Sequence, residues 1–136
     1  DPVFPVGRLD RDSSGLLLLS NDGQFSQKIL HPSYEIQKVY QVILDHPLSE
    51  HHQHRLLGGF FLDDGPVQFK SCRPIQQNHI ELTLSQGRNR IIRRCFEFFG
   101  YQVLALHRTQ IGSISMDGLK KGKWRKLDPK IVRGII

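Results

Sequence analysis

The sequence predicts an α+β domain with a mixed, mostly antiparallel β-sheet flanked by helices. Three observations lead there. Helical and extended segments alternate irregularly, with no internal repeat and no low-complexity linker. Residues 80–84 alternate apolar and polar side chains, as a half-buried strand does. Between Asn89 and Phe99, at about 100° per residue, Ile91, Ile92, Cys95, Phe96, Phe98 and Phe99 fall in one arc of about 160°, while Arg90, Arg93, Arg94 and Glu97 take the opposite side. With 136 residues and 38% hydrophobic content the chain can bury one core, so one domain over 1–136 suffices.

The elements follow in order. Gly7 to Gly15 sets charged and turn-forming residues against the apolar run Leu16 to Leu19, which reads as a buried strand closed by the turn Asn21-Asp22-Gly23. Gln24 to Leu30 is a short helix, ended by His31-Pro32 because a residue before proline is pushed out of the helical region. Ile36 to Leu44 is rich in strand formers. Ser49 to Leu57 is a helix stopped by Gly58-Gly59, and Asp63-Asp64-Gly65 turns the chain into a strand from Val67 to Cys72. After Ile80 to Leu84 comes a loop at Ser85-Gln86-Gly87, then the amphipathic helix with Gly100 as its C-cap. Val103 to His107 and Trp124 to Leu127 complete the sheet.

The charge is unevenly distributed. Residues 1–69 carry five Lys and Arg against nine Asp and Glu, a balance of −4; residues 70–136 carry fourteen against four, a balance of +10. A phosphate backbone would select such an asymmetry, and a solvated basic face with no partner is the plainer alternative. Apolar runs fall far short of the roughly 18 residues of a spanning helix, and the expected location is cytoplasmic. Cys72 and Cys95 have neither Cys-x-x-Cys spacing nor a framework, and read as buried free thiols.

Asp10 lies on the loop entering the first strand, at the edge of a core, where reactive carboxylates usually sit. Turn chemistry accounts for it equally well, since Asp10 and Asp12 can simply bond backbone amides. The order Asp10-x-Asp12-x-Ser14-Gly15 imitates the start of a calcium loop, but Asn21 stands where the bidentate Glu is needed and no amphipathic helix precedes it. Arg93 lies about 60° from Phe96, at the border of the buried arc, where a guanidinium can pair with a carboxylate; a salt-bridged surface Arg would look the same. Tyr40 reads on its own as a core strand tyrosine. Among His46, His51, His52 and His54, the three on the helix beginning near Ser49 do not lie on one face at spacings of three or four, so no metal site is expected.

Gly7-Arg8-Leu9-Asp10-Arg11-Asp12-Ser13-Ser14-Gly15-Leu16-Leu17 closely resembles the catalytic motif of bacterial pseudouridine synthases, in the branch modifying ribosomal RNA. Lys38-Val39-Tyr40 resembles that family's second motif, Gly87 to Arg94 its third, and Leu106 to Gly112 a following strand, in the family's order over most of the chain. The resemblance implies the family's catalytic-domain fold and conversion of an RNA uridine to pseudouridine, with no cofactor and no metal. It implies Asp10 as the carboxylate at the ribose, Arg93 as its partner, and Tyr40 as the aromatic that stacks on the flipped base. Arg8, Lys38, Arg88, Arg90, Arg94 and Arg108 become candidate RNA contacts, with Lys120, Lys121, Lys123 and Arg125 as further candidate phosphate contacts. The expected partner is ribosomal RNA, the expected state a monomer, and no membrane is involved.

Two departures stand out. Ile91 occupies a place where glutamine is common in the third motif. The family's early Asn-Lys-Pro strand and small N-terminal RNA-binding domain are not found before Asp10, so the expectation is a catalytic domain lacking both. The alternative is a catalytically inactive RNA-binding module with the same fold. A glycoside hydrolase using Asp10 and Asp12 is disfavoured, because two carboxylates this close in one loop do not flank a sugar from opposite sides.

Overall fold

The structure is a computed structural model that describes residues 2–88 and 90–134. Its main sheet runs in the order β10-β9-β4-β8-β7, formed by β4 (Lys38–Leu44), β7 (Ser71–Pro74), β8 (His79–Leu84), β9 (Val103–Ile111) and β10 (Ile114–Ser115). These pairings are all antiparallel; the short β2 (Ser14–Gly15) adds to β9 in parallel, Ser14 opposite His107 and Gly15 opposite Arg108. Two small hairpin-like pairs stand outside: β1 (Phe4–Pro5) with β3 (Leu19–Ser20), and β5 (Phe60–Leu62) with β6 (Gly65–Val67). The helices are α1 (Gly23–Leu30), α2 (Glu50–Gly58), α3 (Ile91–Phe98) and α4 (Pro129–Arg133).

Period-2 patterning gives the sheet one apolar face. Val42 and Leu44 of β4 and Ile80, Leu82 and Leu84 of β8 are wholly buried, and they meet Leu56 of α2 and Ile91, Ile92, Cys95 and Phe96 of α3 in the main core. The opposite face is polar and wetter: His79 bonds Gln41 across the strands, and Arg73 bonds Glu81. Helix α3 ends in a Schellman arrangement, with Tyr101 N–H donating to the Phe96 carbonyl and Gly100 N–H to that of Glu97. Gly100 takes the required left-handed conformation (φ 92°), and Tyr101 meets the Phe96 ring edge-on, the apolar contact that accompanies this cap. Asp22 caps α1 and Ser49 caps α2 through their side chains. Cys72 and Cys95 are buried free thiols, each pushed up to about 12 by burial.

A second, smaller core of Val6, Leu16, Leu18, Ile29, Ile36, Ile111 and Ile114 lies where the N-terminal segment crosses the sheet. Here the structure corrects several expectations. Leu16 to Leu19 is not one buried strand: Leu16 and Leu18 are buried while Leu17 and Leu19 are exposed. The chain bonds first to β9, through Leu16 N–H to the Arg108 carbonyl, and then to the β1 segment, through the Leu18 carbonyl and Val6 N–H, so only one side faces the core. Val67 to Cys72 divides into β6 and β7, because the chain leaves its hairpin with β5 before joining β8. Trp124 to Leu127 forms no strand. Gly118 and Gly122, both with φ of 77°, put turns just before it, and Trp124 is 79% exposed. Among the described residues no helix is long and apolar enough to cross a membrane.

Candidate active site

A hollow of about 380 Å³ opens between the smaller core and the sheet. Five pieces of chain wall it: the loop carrying Gly7 to Asp10 with Ser13 and Ser14, the end of α1 with Ile29 and Leu30, the start of β4 with Lys38 and Tyr40, the loop before α3 with Arg88 and Arg90, and the middle of β9 with Leu106 and Arg108. That volume is in the range of small-ligand clefts. Its lining brings together Arg8, Asp10, Lys38, Tyr40, Arg88, Arg90 and Arg108 of the residues singled out in the sequence; Arg93 and Arg94 are outside it.

The carboxylate loop is held from three directions. Ser13 N–H bonds the Asp10 carbonyl, closing a tight turn. Beyond it the chain docks on β9: Ser14 Oγ and His107 Nδ1 share a 2.7 Å hydrogen bond, and the Arg108 Nε and Nη2 groups both donate to the Leu16 carbonyl. This approach requires Gly15, which has φ of 117° and at which a Cβ would collide with the Arg108 backbone. From the helix side, Arg93 donates to the Asp12 carbonyl at 2.6 Å and to the Val103 carbonyl at 3.2 Å, while Arg90 grips the Asp12 carboxylate with both Nη groups at 3.0 and 2.9 Å. Arg90 itself adopts a left-handed backbone (φ 49°) as the residue preceding α3, a conformation that costs a non-glycine residue about 1 kcal/mol or more.

The two carboxylates therefore differ. Asp12 is held down to about 2, first by the hydrogen bond from Arg90 and then by the nearby Arg93 charge. Among the described residues no hydrogen bond or ion pair reaches the Asp10 carboxylate; the Arg93 pairing expected from the sequence is made with Asp12, whose Oδ2 lies 3.4 Å from Arg93 Nε. Arg93 is 7% exposed, deeper than the border position that periodicity indicates.

Tyr40 and Arg108 are cross-strand partners beside an irregularity in the β4–β9 ladder. Burial pushes the Tyr40 phenol up, against the opposing charge and hydrogen bond of Arg108, while the Asp10 charge pushes it further up. Lys38, two residues earlier on the same strand face, is pushed down by burial and by Arg108.

The arginines expected to contact RNA are largely occupied. Arg88 donates to the carbonyls of Asp64, Gly65 and Pro66, fastening the β5–β6 turn. Arg94 makes a two-armed bond to the Asp64 carboxylate, and Arg108 is 7% exposed and committed to Leu16. Sequence reasoning missed these pairings, and it missed Asp12 as the centre of the loop's ion-pair cluster. No local spacing connects Asp12 with Arg90 or Asp64 with Arg94. The shared face of Lys38 and Tyr40 was available from strand alternation alone. Of the histidines, His46 stacks on Tyr101, the Tyr101 hydroxyl shares a 2.7 Å hydrogen bond with His52 Nδ1, and the His51 and His52 rings lie 5.6 Å apart.

A family profile described as RNA pseudouridylate synthase matches residues 1–98. The chain is 39% identical over 137 residues to the ribosomal large subunit pseudouridine synthase B of Bacillus subtilis, covering 96% of this chain and 56% of that protein. It is 41% identical to the protein of the same description from Pasteurella multocida, over 90% of this chain and 37% of that one. A crystal structure of a pseudouridylate synthase superposes with a TM-score of 0.92 at 30% identity, over 98% of this chain and 60% of that one. The chain thus spans about half the length of the curated relatives it matches.

Proposed function

The chain belongs to the RNA pseudouridylate synthase family, and we propose that it isomerises a uridine in structured RNA, ribosomal RNA foremost, with Asp10 as the carboxylate at the sugar. The observation that carries this reading is the Asp10 carboxylate, which meets no hydrogen bond or ion pair among the described residues, in a hollow lined by Arg8, Lys38, Arg90 and Arg108, with Tyr40 in the same wall. Those cations favour an anionic ligand such as a phosphate. The Ser13 hydroxyl lines the same space and, though buried, has no hydrogen-bond partner among the described residues, so a polar ligand atom there would satisfy it.

In this reaction the C1′–N1 bond breaks, uracil rotates, C5 bonds to C1′, the C5 proton is lost and N1 gains a proton. Nothing is oxidised and no group leaves. Asp10 acts on the sugar, as nucleophile at C1′ or as the base for the C2′ proton. The uridine must first leave its stack, at a cost of a few kcal/mol, and the Tyr40 ring offers a surface to receive it. The phenol stays protonated because burial raises it, so its hydroxyl serves as a hydrogen-bond donor near the base. Arg8 and Lys38 are left for phosphate. Arg88, Arg90, Arg94 and Arg108 act through the framework, and Arg93 is a positioning residue that fixes the loop carrying Asp10.

A second reading, an inactive RNA-binding module, draws support from the contact of Arg93 with Asp12 in place of Asp10. Tritium release from C5-labelled uridine in bulk ribosomal RNA separates the two. Release that depends on Asp10 is the expected result; bound RNA with no release would overturn the synthase reading.

A further inference from the structure

We propose that the segment Lys120–Lys126 is a second RNA contact, on which a single-stranded flank of the substrate stacks an unpaired base against Trp124 and lays its phosphates on Lys120, Lys121, Lys123 and Lys126. This rests on the RNA reading above and concerns a surface separate from the hollow around Asp10.

Trp124 is the single tryptophan of the chain and is 79% exposed, so it contributes little to either core. Tryptophan is enriched at contact surfaces, where the large ring meets a partner while its N–H stays in water. It borders a groove of about 660 Å³ whose floor is Leu16 to Leu19 with Ile114 and Leu119. The four lysines are exposed and make no salt bridge among the described residues. From Gly118 to Leu127 there is no Asp or Glu. The next acid, Asp128, spends its carboxylate on the Lys130 amide as the cap of α4.

The segment is nevertheless anchored. Arg125 donates to the Ser115 carbonyl at 2.7 Å and the Asp117 carbonyl at 2.9 Å, tying it to β10 while its neighbours point outward. One arginine is used as a strut, and the aromatic beside it stays free. A flat aromatic interleaved with unpaired lysines is the pattern that binds single strands without sequence preference, because every base has a stacking face and every linkage a charge. An acidic protein segment would use the lysines but not the exposed indole face. The smaller core forms a common wall: its Val6, Ile29 and Ile111 line the hollow, and its Leu16, Leu18 and Ile114 line the groove. A strand held at the groove would therefore constrain the same loop that carries Asp10.

Because Trp124 is the single tryptophan, its emission reports on this surface alone. The probe is oligoadenylate of about twelve nucleotides, which contains no uridine for the hollow. Saturable quenching is expected in the parent; by anisotropy of the end-labelled oligoadenylate, which does not need the indole, affinity should fall roughly 5- to 150-fold in Trp124→Ala and much less in Trp124→Phe. Each of Lys121→Ala and Lys123→Ala should lower the salt-dependence slope by about 0.7. Unchanged emission, or equal affinity for Trp124→Ala, overturns the proposal. So does equal quenching by polyglutamate, which would assign the surface to an acidic protein. Isomerisation of ribosomal RNA uridine, measured in parallel, keeps the two readings apart: conversion without quenching removes only this contact, and quenching without conversion removes only the synthase assignment.

Discussion

Arg93 donates its 2.6 Å hydrogen bond to the carbonyl oxygen of Asp12, a residue 81 positions away in sequence, and thereby ties the carboxylate loop to α3. The same guanidinium bonds the Val103 carbonyl at the start of β9. One side chain thus joins a helix, a strand and a loop, and its planar fork is what lets it serve both carbonyls.

Replacing it should be felt twice. Arg93→Ala strands two carbonyls beside the core and should lower stability by about 2–4 kcal/mol in urea unfolding. Isomerisation should fall far more than in Arg133→Ala, whose side chain is exposed. Arg93→Lys should recover little of either, since an ammonium cannot span both acceptors. Full activity in a folded Arg93→Lys protein would remove the positioning role.

Asp10→Asn should leave the fold almost untouched. No hydrogen bond or ion pair of the Asp10 carboxylate is lost among the described residues, so unfolding should shift by no more than about 0.5 kcal/mol. Tritium release from C5 should nonetheless disappear with RNA binding retained. Turnover in the variant would show that another group acts at the sugar.

Tyr40 separates stacking from proton handling. With its phenol held above the usual range by burial, it should not titrate below about pH 10, and the alkaline limb of a rate profile should not belong to it. Tyr40→Phe keeps the ring and should keep RNA affinity while slowing conversion. Tyr40→Ala should lose both, as read by filter binding and single-turnover kinetics.

Acid stability carries the signature of Asp12. Its folded value lies at about 2 against an ordinary 3.8, so the ionised form is favoured by folding. That contribution is fully present above about pH 4 and disappears as pH falls through about 2. In chemical unfolding, the advantage of the parent over Asp12→Asn should therefore shrink across that window and stay constant from pH 5 to 7. An advantage that grows on acidification would contradict the Arg90 pairing.

Gly15→Ala tests the docking of the loop on β9. Both the left-handed backbone and the collision with Arg108 oppose any Cβ, so a loss of about 2–4 kcal/mol in thermal unfolding is expected. Near-parent stability would mean that the parallel β2–β9 contact is dispensable.

Legibility of the sequence followed the range of the interactions involved. The helices at 23–30, 50–58 and 91–98 and the strands at 38–44 and 79–84 were readable, because caps, β-branched runs and periodic burial are local signals. Asp10, Lys38 and Tyr40 were singled out from their motifs and line one hollow. The misreadings share a cause. Arg88, Arg94 and Arg108 look like free cations in a basic half, yet each meets an acceptor that lies 22 to 92 positions away. Trp124 to Leu127 lies by the edge strand β10 but, among the described residues, reaches it through the Arg125 side chain and not through a backbone ladder.

The parallel contact between β2 and β9 also governs when the loop carrying Asp10 can become ordered. Ser14 is made early and His107 93 positions later, while the Arg93 clamp arrives between them. A nascent chain released before β9 would hold a loose loop and an open hollow. Ordering of the loop that carries Asp10 is therefore deferred until β9 has been made, and a product terminated before it would lack the partner on which that loop docks.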